Sequence, residues 1–304
     1  MIYLFMNNGG MGNQMFQYAI ARKLQLEYDM DIVCDLTKFN YKNTNATRRE
    51  YCLDAFNLTN RLSYKNVIFH KIYYKLVKKW ISLKKMDTME LYKQFTQKGI
   101  FSPCGYFNYY PEGKCEVPNI FVNGLFQAHQ YFDEILPVLQ RDFTFRIPPR
   151  MEICGILKRI DQEESVCIHW RRGDYLTKQY RNSLLVCDES YYNRAIAKIL
   201  EKVENPTLYI FTNSVEDAEW IENNHQFNVP VNYINTMIKE KHTDLDEFRI
   251  MCACKHFIIS NSTFSWWAQY LSPNESKVVV APSIWNRKEN AKSLYFDDWE
   301  VIPV

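Results

Sequence analysis

No apolar run in this 304-residue sequence approaches the roughly 18 residues that a membrane span needs. Its first residues, Met1-Ile2-Tyr3-Leu4-Phe5, open directly as a strand, without a basic n-region or an extended apolar h-region. We therefore expect no signal peptide and a cytoplasmic protein. Cysteine spacing agrees: the nine cysteines are an odd number with no C-x-x-C pair, which argues against a disulfide framework or a zinc site and for free thiols. Cys252 and Cys254 flank a single residue, but in an apolar helical stretch that reads as core. Net charge is only +2, too little to suggest a nucleic-acid partner. There is no internal repeat and no low-complexity tract. With 47% hydrophobic and 24% charged residues, the composition is that of a globular protein long enough for one large or two ordinary domains.

The most informative stretch lies mid-chain. Residues 166–170 read as a short buried strand that runs without a spacer into Arg171, Arg172, Gly173 and Asp174. Ligands of open α/β sheets bind beyond the carboxyl ends of the strands, so charge placed there points to an anionic ligand. Two guanidiniums can grip phosphate oxygens bidentately and offset negative charge building on a departing phosphate. Gly173 permits a sharp turn, and Asp174 can orient an arginine or accept a proton. The same residues also fit a strand end carrying a surface ion pair.

Two further turns share this logic. Residues 2–6 read as a strand, 7–13 as a glycine-bearing turn and 14–28 as an amphipathic helix, so Gly10, Gly12, Asn13 and Gln14 lie where a backbone can approach a ligand at a helix amino end. In the second half, the strand 256–260 leads through Asn261, Ser262, Thr263, Phe264 and Ser265 into a helix bearing Trp266 and Trp267. Asparagine and hydroxyl side chains at that position either cap their own helix or donate to a phosphate.

Beyond Ile147-Pro148-Pro149-Arg150, the best candidate linker, strands and helices alternate to a last strand at 277–281. Such alternation implies a parallel sheet covered by helices on both faces, and domains of 1–149 and 150–304. The final residues, around Trp299, are expected to pack back on the first domain. Segment 64–85 carries seven lysines and no acid, with Ile68, Ile72, Leu76, Trp80 and Leu83 on one helical face. It reads as a surface helix packed on its domain or as a contact for an anionic membrane. Asp29-Met30-Asp31 and Asp244-Leu245-Asp246 fit the D-x-D pattern of metal-dependent sugar transferases, but helix ends account for both pairs, and two arginines can offset diphosphate charge instead. No metal is expected.

Three stretches, in order, resemble motifs of the α-1,2-fucosyltransferase family: Gly10-Met11-Gly12-Asn13-Gln14-Met15-Phe16-Gln17-Tyr18-Ala19, His169-Trp170-Arg171-Arg172-Gly173-Asp174-Tyr175, and Asn261-Ser262-Thr263-Phe264-Ser265-Trp266-Trp267 with Met251, Cys254 and Lys255 upstream. Arg49-Glu50-Tyr51-Cys52-Leu53 and Gly124-Leu125-Phe126-Gln127 are also similar to family elements. The chain departs from the pattern at Glu247, where the family usually has aspartate, and at Thr212-Asn213-Ser214. The resemblance implies a GT-B fold, two Rossmann-like domains across a cleft, and inverting transfer of L-fucose from GDP-fucose to the 2-hydroxyl of a galactose in an oligosaccharide or glycolipid. It implies that Arg171 and Arg172 bind the diphosphate, with Asp174 the first candidate for the base. His169, Glu247 and residues 261–265 would contact the donor, and Gly10, Gly12, Asn13 and Gln14 would close on the fucose or acceptor. Two other readings stay open: a GDP-sugar transferase of different sugar or linkage, and a non-catalytic glycan-binding protein using the 7 Trp, 21 Tyr and 19 Phe as sugar platforms.

Overall fold

The computed structural model describes residues 1–7, 9–40, 50–83, 86–105, 107–111, 115–172, 187–238 and 243–304. Gly173, Asp174 and Tyr175 of the central motif, Arg49, and Lys84 and Lys85 of the lysine-rich segment lie outside the described residues. The chain divides into two compact units, Met1–Arg146 with Lys292–Leu294, and Ile147–Ala291 with Tyr295–Val304. The residues around Trp299 thus belong to the second unit, where Trp299 packs on Tyr295 and Phe296. It is Lys292–Leu294, with Leu294 fully buried, that groups with the first.

The first unit is built on strands β1 (Ile2–Phe5), β2 (Ile32–Asp35), β3 (Leu62–Tyr64), β4 (Ile100–Phe101) and β5 (Ile120–Val122), paired in parallel in the order β3-β2-β1-β5-β4. After β1 the chain enters helix α1 (Met11–Tyr28), which starts earlier than its polar pattern predicts. Met11, Met15, Phe16, Ala19 and Ile20 are all buried, so the burial of Met11 draws Gly12, Asn13 and Gln14 into the first helical turn. Helices α2 (Ile68–Ser82) and α3 (Thr88–Gln97) follow β3, and α4 (Leu136–Asp142) follows β5. The turn into β4 requires Gly99: its φ is +70°, and a Cβ there would stand 2.6 Å from the Asn119 carbonyl oxygen.

The second unit begins with α5 (Met151–Gln162) and β6 (Glu164–His169). It continues through α6 (Glu189–Lys202), β7 (Pro206–Phe211), α7 (Val215–Asn224), β8 (Val231–Tyr233), the short α8 (Ile234–Met237), α9 (Asp244–Ala253), β9 (His256–Ile258), α10 (Thr263–Leu271), β10 (Val279–Pro282) and β11 (Glu300–Ile302). All six strands are parallel, in the order β11-β10-β9-β6-β7-β8. β10 is therefore not the last strand. β11 has no readable pattern because it is a three-residue edge with only Ile302 buried. Polar caps start the helices: Asp188 accepts from the Tyr191 N–H, Ser214 from the Asp217 N–H, and Thr243 forms a reciprocal capping box with Asp246.

A buried ion pair fixes α1 against α4. Asp142 Oδ2 accepts from Arg22 Nε at 2.7 Å and from the Tyr18 hydroxyl at 2.7 Å, and the Tyr18 oxygen in turn accepts the Thr59 N–H. The Arg22 and Asp142 side chains are 9% and 4% exposed. Removing one partner leaves the other charge buried and unpaired, which costs about 3–5 kcal/mol. Asp142→Ala should lower unfolding free energy by about that amount in a denaturant titration, and an Arg22→Leu, Asp142→Leu double variant should recover most of it.

Candidate functional site

In the second sheet the order of connections reverses once, between β6 and β9. At such a reversal the two following loops leave in opposite directions and open a crevice at the carboxyl edge. The second unit's crevice receives the two arginines from β6 on one side and the Asn-Ser-Thr-Phe-Ser turn from β9 on the other.

The His169 side chain bridges the two strand ends. Its Nδ1 lies 3.1 Å from Ser260 Oγ, its carbonyl accepts the Tyr192 hydroxyl at 3.0 Å, and its ring faces Phe264 at 6.1 Å. Burial, and secondarily the positive charge of Arg171, push the imidazole pKa from 6.5 down to about 3. At neutral pH it is an uncharged hydrogen-bonding group.

Trp170, 1% exposed, stacks on Tyr192 at 4.1 Å in the core under α6. The same Tyr192 hydroxyl oxygen accepts the Arg171 N–H at 3.0 Å, so α6 holds the backbone on either side of Trp170. Arg171 and Arg172 are half-buried. Their surroundings differ. Arg172 donates its backbone N–H to Asn213 Oδ1 and its Nε to Asp217 Oδ1 at 3.1 Å, while its guanidinium lies 3.6 Å over the Trp220 ring. Stacking and ion pairing fix the plane of the Arg172 fork. Asn213 lies in the Thr212-Asn213-Ser214 stretch that departs from the family pattern, whereas Asp217 and Trp220 belong to no motif; their i, i+3 spacing on α7 is their one sequence signal, since it puts both on one face.

On the β9 side, Ser262 caps α10 by accepting the Phe264 N–H, and Ser265 Oγ donates to the Ser262 carbonyl. The positive end of α10 therefore points at the crevice from residues 262–265. Asn261 is buried and donates its amide to the Trp285 carbonyl at 3.1 Å, which anchors the loop after β10. Glu247 Oε1 accepts from the Asn235 amide; Asn235 also accepts the Thr212 N–H and hydroxyl at the end of β7. Thr212, Asn213 and Ser214, which depart from the family pattern, thus brace β7, hold Arg172 and cap α7 respectively.

The carboxyl edge of the first unit's sheet, where β1 and β5 are neighbours, holds a polar turn of its own. Gln14 is fully buried and its amide is engaged on both ends, donating to the Gly9 and Glu50 carbonyls and accepting the Cys52 N–H at 2.9 Å. It fastens residues 50–52 to α1, in place of the open contact expected of it. Asn13 Oδ1 accepts from Gln127 at 2.7 Å, Gly12 is buried, and Asn7, just past β1, donates to Asn123, just past β5. Gly10 differs: a Cβ there would meet nothing within 4 Å, and φ is an ordinary −64°. The fold does not demand glycine at this position.

Three of the four D-x-D aspartates are engaged elsewhere. Asp246 completes the α9 cap and pairs with Arg150 at 3.1 Å, and Asp29 and Asp31 both pair with Arg61. Among the described residues no group of three or more His, Cys, Asp or Glu side chains could hold a metal ion.

The depressed His169 pKa has a definite sign. Because the imidazole stays neutral in the folded state but ionises at its ordinary 6.5 when unfolded, its contribution is fully present above pH 6.5 and is lost as pH falls toward about 3. Between pH 6.5 and 4.5, wild-type unfolding free energy should fall more steeply than that of His169→Asn, by up to about 1.4 kcal/mol per pH unit. Parallel pH profiles would show that His169 titrates normally.

The profile of Glycosyl transferase family 11 matches residues 1–303. The O-antigen biosynthesis glycosyltransferase WbnK of Escherichia coli is 29% identical, covering 96% of this chain and 97% of its own. An alpha-1,2-colitosyltransferase of Escherichia coli is 27% identical over 94% of this chain and 93% of its own. Human galactoside alpha-(1,2)-fucosyltransferase 1 is 25% identical over 52% of this chain and 45% of its own. The fucosyltransferase NodZ from Bradyrhizobium superposes with a TM-score of 0.50 at 12% identity, covering 90% of this chain and 92% of that one. That likeness concerns fold, and it agrees with the two parallel-sheet units of a GT-B-type α/β protein. With a family match along nearly its whole length, the chain belongs to glycosyl transferase family 11, the α-1,2-fucosyltransferase family that its motifs resemble.

Proposed function

We propose that the protein transfers L-fucose from GDP-fucose to the 2-hydroxyl of a terminal galactose, inverting the sugar carbon to give an α-1,2 linkage. What supports this reading is that Arg171 and Arg172 directly follow β6, and the amino end of α10 follows β9, on either side of the reversal between those two strands. Positive charge from two directions at the carboxyl edge of a Rossmann-like sheet suits a nucleotide diphosphate. A non-catalytic glycan-binding site would have no use for it.

In this mechanism the galactose hydroxyl oxygen forms a bond to the fucose anomeric carbon. The bond from that carbon to the β-phosphate oxygen breaks, and its electron pair goes to GDP. The arginines meet the charge arriving on the phosphate, where stabilisation accelerates the step most. Arg172, held in plane by Asp217 and Trp220, presents a preorganised donor, and Ser262, Thr263, Phe264 and Ser265 surround the phosphates from the β9 side. His169, neutral, hydrogen-bonds rather than neutralises, and Glu247 of α9, held by the Asn235 amide, is assigned to the donor. Asp174 is assigned the hydroxyl proton. Gly10, Gly12 and Asn13 are assigned to the acceptor side, with Gly10 the point where an incoming sugar can come closest to the backbone. A different GDP-sugar is the second reading, favoured by the 27% identity to an alpha-1,2-colitosyltransferase.

Donor competition tests both. Offered GDP-fucose, GDP-mannose and UDP-galactose with a panel of galactosides, the enzyme should consume GDP-fucose and yield a 2-O-linked product. Turnover should persist in EDTA, because the arginines supply the charge that a cation otherwise would. A product linked elsewhere, or turnover lost on chelation and restored by manganese, would overturn the corresponding part of the reading.

A further inference from the structure

We propose that α2 is a membrane-surface helix that seats the protein on an anionic bilayer. The helix carries two apolar faces. One is accounted for: Val67, Tyr74 and Ile81 are buried in a core with Phe5, Phe95 and Phe121. The other faces solvent. Ile68, Phe69, Ile72, Leu76, Trp80 and Leu83 are 56%, 82%, 49%, 63%, 57% and 72% exposed. Spaced three, four or seven residues apart, they form one stripe along the helix. Such an extended row of large apolar side chains marks a contact surface.

Charge decides what the stripe contacts. No aspartate or glutamate occurs from Ala55 to Met86. Lys65, Lys75 and Lys79 are exposed along the stripe, and among the described residues Lys75 and Lys79 make no ion pair. On the inner side, by contrast, Lys71 is paired with Asp35 and Lys78 is bonded to Ser102. The lysines on the stripe are therefore the ones left for an external anion. Protein interfaces are depleted in lysine. A lipid headgroup layer accepts it readily: lysine stems lie along apolar surface with their ammonium groups among phosphates, while tryptophan and tyrosine settle at the boundary. At 15 residues α2 is too short to span, and among the described residues no helix is long and apolar enough to cross a membrane. It can lie in the plane of the interface, with Phe69 and Leu76 reaching toward the acyl chains. This inference rests on the helix surface alone and holds whichever sugar is transferred.

Sedimentation of the full chain with vesicles tests it. At low salt the protein should pellet with phosphatidylcholine vesicles containing phosphatidylglycerol, should not pellet with phosphatidylcholine alone, and should come off as the screening length falls from about 30 Å toward about 3 Å with added salt. Lys75→Glu with Lys79→Glu should weaken binding by more than about tenfold, given the pull each basic residue feels near an anionic surface. Phe69→Ser with Leu76→Ser should abolish it. Both pairs are solvent-exposed, so thermal midpoints and turnover of a soluble acceptor should match wild type. Failure to pellet with anionic vesicles at low salt would overturn the proposal. So would binding that either pair leaves unchanged, or concentration-dependent dimerisation through this face in place of vesicle binding.

Discussion

The parallel pairing of β6 with β9 is the constraint on which the second unit's chemistry depends. Val166, Cys167 and Ile168 align with His256, Phe257 and Ile258, partners 90 positions apart in the chain. β6 is flanked on its other side by β7 from Glu164 to His169, so it is held along its whole length and its carboxyl end cannot drift. Because β7 and β9 lie on opposite sides of β6, the chain must change direction there, and the two loops part around an opening. The His169 to Ser260 contact ties the edges of that opening, and the stack of Trp170 on Tyr192 fixes the chain just before the arginines to α6. Arg171 and Arg172 follow at once, with no slack in the chain between core and charge.

That opening is electrostatically lopsided. Positive charge enters on two arginines and a helix amino end, while the His169 imidazole is held neutral by burial. A protonated His169 would sit beside Arg171 in a site with little solvent, and the cost of burying it outweighs any gain toward an anion. The arginines themselves are not equivalent. Arg172 is braced by a carboxylate and an indole, which partly offsets its charge and fixes its orientation. Asp217 and Trp220 therefore shape the site without belonging to any of the three motifs.

Much of this could be read from sequence because local chemistry and tertiary role coincide. β6 is an apolar run ending in charge, and α6, α7 and α10 start at Asp188, Ser214 and Ser262, residues whose side chains cap helices. The alternation of strands and helices after Pro149 gave the parallel sheet. What escaped was decided by packing. Gln14 looked like a ligand contact beside a glycine turn, yet its amide is absorbed by the backbone of residues 9, 50 and 52, partners that no spacing rule links. β4, of two residues, and β11, a three-residue edge, are too short to show a period. The bracket around Arg172 needs β6 and α7 to meet in space, and α2 could be read either as a packed or as an exposed helix until its second apolar face was seen in three dimensions.

Steady-state kinetics of Arg171→Ala and Arg171→Lys test the central claim most directly, that the β6–β9 crevice is where the leaving phosphate is held. Loss of a contact that strengthens as charge moves onto the nucleotide should lower kcat on the order of 10²-fold or more and change the donor KM much less. Lysine should restore only part of the loss, since it keeps the charge but not the planar fork. The thermal midpoint should stay near that of the wild type, because Arg171 lies past the strand end and its backbone anchor to Tyr192 does not involve its side chain. A folded Arg171→Ala protein turning over its donor at close to the wild-type rate would contradict the account.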